Sequence, residues 1–295
     1  MDRREFLKFG LLFSYVIFFD KYLPGGYKRK NYSSLYIFED ELELIKNKIE
    51  EFNNMQFPES LGDLLIEVAK TFLGTKYESG TLDIFDDREE LILKISGFDC
   101  VTFVENVLTF GRLIKNNKLT IENFLEELKL IRYRSGIING FTSRLHYFSD
   151  WIYDNSQKGV VIDLVKELGG SNYDKVINFM TEHPSYYKQL NKNKKLLYEM
   201  KDVEEKITQR EKFYIKLNEI EKYFDKLANG DIFALTTNIE GLDVSHTGFI
   251  LIDEDVKIIH ASQKFKKVVI STRGIKDYML SIKNCSGLMV ARPII

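Results

Sequence analysis

The sequence predicts an α+β protein, with helices packed on an antiparallel sheet, and three observations carry that prediction. Apolar residues recur at helical spacing through the first half of the chain. Short runs rich in Ile, Val and Phe, separated by turn residues, fill residues 231–291. The composition, 44% hydrophobic and 29% charged over 295 residues, suits a chain that buries a core. Helices gathered in one part and strands in another define the α+β class. The 42 basic and 44 acidic residues nearly cancel, so no clustered positive excess marks the chain for nucleic acid.

At the N-terminus, Arg3 and Arg4 precede an apolar run from Phe9 to Phe19, closed by Asp20 and Lys21. Eleven residues fall short of the ~20 that span a bilayer comfortably. Residues 1–30 therefore read as an export signal or membrane tether, with Pro24-Gly25-Gly26 and Lys28-Arg29-Lys30 as its linker. Asp2 stands where twin-arginine signals usually carry Ser or Thr, and no small-x-small cleavage site follows. The expectation is an exported protein, attached by an uncleaved N-terminus, whose working domain is residues 31–295.

Within that domain, Leu42, Ile45 and Ile49 predict a helix over 38–52, and Leu64, Leu65, Val68 and Phe72 a second over 61–72. Gly74 to Gly80 breaks the pattern and is expected to be a loop. From Cys100 onward, Phe103, Val104, Val107, Leu108 and Gly111 make the clearest helical stripe in the chain. Asp99 precedes it as a candidate N-cap. Another short helix is expected over 121–131. The Lys- and Glu-rich stretch 192–229 reads as one or two solvated helices forming an insertion, not core. Strands are expected at 231–236, 244–252, 256–261, 267–271 and 288–291, with a short helix at 275–282 between the last two.

Two cysteines, Cys100 and Cys285, supply neither a disulfide framework nor a zinc-type pair, and no HxH or HxxxH spacing accompanies them. No metal or other cofactor is expected. Cys100 opens a helix, where unpaired N–H groups lower a thiol pKa. Cys285 has no histidine near it in sequence and reads as structural. A three-residue turn at Asp253-Glu254-Asp255 sets Ile252 opposite Val256 and His260 opposite Gly248. His246 then shares a face with His260 as its diagonal neighbour, roughly 7–8 Å away. A two-residue turn would put the two on opposite faces. The combination points to Cys100 as nucleophile, His246 as base and His260 as the group orienting it, although spacing alone does not fix which histidine takes which role. His146 and His183 have no comparable arrangement.

Gly97 to Glu105, Ser245-His246-Thr247-Gly248 and Ile259-His260-Ala261-Ser262 resemble, in this order, the nucleophile and histidine segments of the NlpC/P60 cysteine peptidases. Phe72 to Tyr77, Ser143 to Tyr147 with Asp150-Trp151, and Gly241 to Val244 are similar to its DUF1460 branch, over residues from about 60 to 295. The resemblance implies a papain-like fold and an N-acetylmuramoyl-L-alanine amidase acting on peptidoglycan fragments, with Tyr77 lining the site. It would leave the Cys100 N–H as an oxyanion donor. Arg144 and Tyr147 become candidates to hold a carboxylate or sugar hydroxyl, and Trp151 to stack on a sugar ring. An endopeptidase cutting the γ-D-Glu to diamino acid bond would use the same triad. A non-catalytic wall-binding module would need no such triad.

Overall fold

The structure, a computed structural model, describes residues 35–37 and 39–295; the segment read as signal or tether lies outside the described residues. The first half holds β1 (Leu35–Ile37), α1 (Glu39–Asn53), α2 (Leu61–Lys70), β2 (Lys76–Tyr77), β3 (Leu91–Leu93), β4 (Gly97–Phe98), α3 (Cys100–Lys115) and α4 (Ile121–Arg132). A mixed middle follows: α5 (Phe148–Gln157), β5 (Val161–Asp163), α6 (Leu164–Glu167), β6 (Ser171–Asn172), α7 (Phe179–Glu182), α8 (Lys188–Lys192), α9 (Lys194–Gln209) and β7 (Phe213–Lys216). The chain ends with β8 (Ile232–Thr237), β9 (Val244–Ile252), β10 (Val256–Ser262), β11 (Lys267–Ile270), α10 (Ile275–Ser281) and β12 (Cys285–Pro293).

The main sheet runs β4-β2-β11-β10-β9-β8-β12-β7-β6, with β5 also on β12. Its centre is antiparallel, but β2 and β4 pair in parallel, so the sheet is mixed and the expectation of a purely antiparallel one is corrected.

Side chains alternate faces along a strand, and β8 to β10 use both faces for apolar burial. Ile232, Ala234, Phe249, Leu251, Ile259 and Ala261 join a first core with α2, α3 and α4. Phe233, Leu235, Ile250 and Ile258 join a second, closed by Ile275 and Met279 of α10. These strands therefore carry almost unbroken apolar runs, the pattern of a sheet covered on both sides.

The stretch 192–229 is not a solvated insertion. Its helix α9 buries Met200 and Ile207 in a third core with Phe141, Tyr147 and Phe179. Phe213–Lys216 is a strand of the main sheet, with Ile215 opposite Leu288 and wholly buried. Apart from the buried Glu204, the Lys and Glu residues of α9 lie on its outer face.

Candidate active site

β4 brings the chain to the nucleophile. Phe98 is buried in the first core, and Asp99 then caps α3 through a capping box. The Asp99 carboxylate accepts the Thr102 N–H at 2.8 Å, while the Asp99 N–H donates to Thr102 Oγ1 at 3.0 Å. This cap starts the helix at Cys100 and leaves its thiol half-buried. Burial, and then the neighbouring Asp99 carboxyl, push the thiol up to about 12, against the lowering effect of the Thr247, Cys100 and Val101 N–H groups. The expected lowering is thus corrected: the donors are in place, but desolvation outweighs them. The Thr247 amide, one residue beyond His246, brings β9 against the sulfur.

The hairpin register matches the sequence reading. Val256 pairs with Ile252 and Ile259 with Phe249, which puts His260 beside Gly248. His246 Nε2 lies 2.6 Å from His260 Nδ1, with the rings edge to face at 4.8 Å. Gly248 makes this possible, since a Cβ there would stand 2.8 Å from His260 Cβ and 2.6 Å from the Ile259 carbonyl. Burial, followed by the neighbouring His260, lowers His246 to about 3. Burial alone lowers His260 to about 4. Both imidazoles are therefore neutral at neutral pH.

Tyr77 on β2 is half-buried near the thiol: burial, then Cys100 and Asp99, raise its phenol. The other expected substrate contacts are corrected. Trp151 has no exposed surface and stacks on Phe148 at 4.9 Å within the first core, so it presents no face to a sugar. Tyr147 is buried, donating to Glu204 at 2.6 Å and accepting the Met180 N–H at 2.8 Å. Arg144 is buried against the protein's own carboxylates, Asp83 at 2.6 Å and Glu89 at 3.4 Å. Burial disfavours its charge, but Asp83 and then Glu89 outweigh that and raise its pKa. A substrate carboxylate would have to displace these partners.

His146 Nε2 bonds the Phe141 carbonyl and His183 Nδ1 the Phe179 carbonyl. Cys285 is buried, its thiol facing the Gly287 carbonyl. Among the described residues, no group of three His, Cys, Asp or Glu could hold a metal ion. One site residue has no sequence signal: Tyr278 of α10, whose ring packs 5.1 Å from His260 and 6.2 Å from His246. It sits in an ordinary short helix, and only tertiary packing brings it to the dyad.

Helices on a mixed sheet, with a thiol at the start of α3 and a bonded pair of imidazoles on β9 and β10, define an α+β protein of the amidase-like class. The chain belongs to the N-acetylmuramoyl-L-alanine amidase-like (AmiA-like) family, whose model matches residues 67–287. It is similar to the crystal structure of an N-acetylmuramoyl-L-alanine amidase from Bacteroides uniformis, at 32% identity and a TM-score of 0.76, covering 80% of this chain and 99% of that one. A Legionella pneumophila protein of the DUF1460 family model superposes with a TM-score of 0.66 over 87% of this chain and 95% of that one; at 21% identity this is a likeness of fold. An inorganic pyrophosphatase from Malacoplasma penetrans matches 110 residues at 27% identity, 37% of this chain and 57% of that protein's length.

Proposed function

We propose that the protein is a thiol-dependent amidase cleaving the amide between the lactyl group of N-acetylmuramic acid and the L-Ala of peptidoglycan fragments. The 2.6 Å bond between His246 Nε2 and His260 Nδ1, beside a thiol at a helix start, carries this reading. With Nε2 engaged, His246 Nδ1 is the nitrogen left for the thiol. In this reading His246 carries its hydrogen on Nε2 and donates to His260, which makes His246 the base and His260 its orienting partner.

The thiol proton passes to His246 Nδ1 as sulfur attacks the amide carbonyl. The Cys100 N–H faces the developing oxyanion. His246 gives that proton to the departing L-Ala nitrogen, leaving a thioester between Cys100 and the lactyl group. Water then loses a proton to His246, attacks the thioester and restores the thiol. The NlpC/P60 kinship and papain-like description belong to the same proposal, supported by the order Cys100, His246, His260 and the helix-start thiol.

Digestion of defined muropeptides, followed by mass spectrometry, tests the reaction. New L-Ala amino ends are expected; cleavage after γ-D-Glu would make the protein the alternative endopeptidase, and no cleavage, with an unreactive Cys100, a binding module. We also propose that the enzyme works outside the cytoplasm, a reading supported by the pattern of residues 1–30. Residues 1–35 fused to a reporter active only after export should give signal, and a silent fusion refutes export.

A further inference from the structure

The dyad leaves one nitrogen to be accounted for, His260 Nε2. If His246 donates its Nε2 hydrogen, His260 must accept at Nδ1 and carry its own hydrogen on Nε2. His260 is only 1% exposed, and among the described residues its imidazole hydrogen-bonds His246 alone. Against the His260 imidazole lies an aromatic ring. Tyr278 meets His260 edge to face, with centroids 5.1 Å apart and planes at 68°. It also covers His246 at 6.2 Å, while Phe233 stands 5.9 Å from that ring. Edge-to-face geometry brings the electropositive rim of one ring to the π-face of the other, and an imidazole N–H is a donor suited to it.

The Tyr278 ring is fixed from behind. Its neighbours Ile275 and Met279 are wholly buried in the second core, and its N–H donates to the Gly274 carbonyl at 3.0 Å. Gly274 comes so near Asp255 that a Cβ there would collide with the carboxylate. The helix bearing Tyr278 is thereby seated against the same turn that sets the histidine register.

We propose that Tyr278 is a positioning residue of the dyad: its ring closes over His260 and His246, keeps water from them, and holds His260 in the tautomer whose Nδ1 accepts from His246. The proposal rests on the reading of His246 as base. The titratable groups around the dyad are Cys100 of α3 and Tyr278 itself, with Tyr77 of β2, Asp99 and Cys285 of β12 grouped about those two. No carboxylate shifts either imidazole, and apart from burial only His260 acts on His246, so exclusion of water is the influence that Tyr278 can exert.

The test uses 15N-labelled full-length protein and needs no substrate, so its outcome is independent of whether the muropeptide reading holds. In the wild type, imidazole nitrogen shifts should show His260 protonated on Nε2, with neither ring titrating between pH 5 and 8. Tyr278→Phe should preserve both features. Tyr278→Leu should mix the tautomers and move the titration of at least one ring upward by more than about one unit. Where turnover is measured, Tyr278→Leu should lose roughly tenfold or more in kcat with KM little changed. A wild-type His260 protonated on Nδ1 overturns the proposal without any variant. So does a folded Tyr278→Leu with unchanged tautomer and titration, and a Tyr278→Phe as impaired as Tyr278→Leu would assign the effect to the hydroxyl and not the ring.

Discussion

Cys100 and His246 are both uncharged at rest, because burial acts on each in the direction that removes charge: the thiol rises to about 12 and the imidazole falls to about 3. A preformed thiolate–imidazolium pair would alkylate at a rate that plateaus once pH exceeds the lowered thiol pKa. Here, iodoacetamide labelling of Cys100 should instead climb about tenfold per pH unit from pH 7 to 10; a plateau below pH 8 would show a standing ion pair. The shifts also carry a sign for stability. An imidazole with a folded pKa below its ordinary 6.5 contributes stability above pH 6.5 that is lost as pH falls toward 4, since the unfolded chain binds the extra proton. Asp99 and Asp243, with raised pKa values, act in the opposite sense. The measurement is therefore the difference in Tm between wild type and His246→Gln across that window, with the wild type falling more steeply.

Substitution separates the roles within the triad. Cys100→Ala and His246→Ala should each cost several orders of magnitude in kcat while leaving the circular dichroism unchanged. His260→Gln, one step removed from the reacting atoms, should retain measurable turnover; an inactive His260→Gln beside an active His246→Ala would exchange the two assignments. Cys100 and the histidines were legible because a cap, a helical stripe and a hairpin are local patterns that can be counted. Arg144, Tyr147 and Trp151 stay open between substrate and interior in the sequence, because nothing local tells which way a large amphipathic side chain points. Tyr278 could not be found at all, since it meets the dyad only through tertiary packing.

The β9–β10 hairpin is the element on which the site depends most. Gly248→Ala would place a methyl group 2.6 Å from the Ile259 carbonyl and 2.8 Å from both His260 Cβ and Phe233 Cε1. Backbone and ring cannot both yield, so a loss of about 1–3 kcal/mol in urea unfolding is expected, with a larger proportional loss of activity as the histidines separate. Unchanged stability would mean that the hairpin relaxes. β9 and β10 were read to within a residue because each is an Ile- and Val-rich run closed by Asp253 to Asp255. β7 went unread for the opposite reason: four residues, Phe213–Lys216, lie inside a charged stretch, and their burial comes from pairing with β12. β2 and β4, two residues each, are too short for any periodicity to register.

Across the whole molecule, the first core is fastened by a buried ion pair. Arg132 of α4 donates to Glu105 of α3 at 2.6 Å and to the Ile92 carbonyl of β3 at 2.6 Å, joining three elements behind the nucleophile. Removing one partner leaves the other charge buried alone, so Glu105→Ala should destabilise the fold by roughly 3–5 kcal/mol, read as a large fall in the urea midpoint. A change below about 1 kcal/mol would mean that water reaches Arg132 freely.

The thiol and the imidazoles come from different layers. α3 belongs to the first core, whereas the helix over the dyad is set by the second. Neither layer alone holds a reactive centre, and the strands carrying the histidines are made after every residue of α3. If the proposed reaction holds, a chain still being made is inert: until the strands that bear the histidines follow α3 into place, it has nothing to cut with.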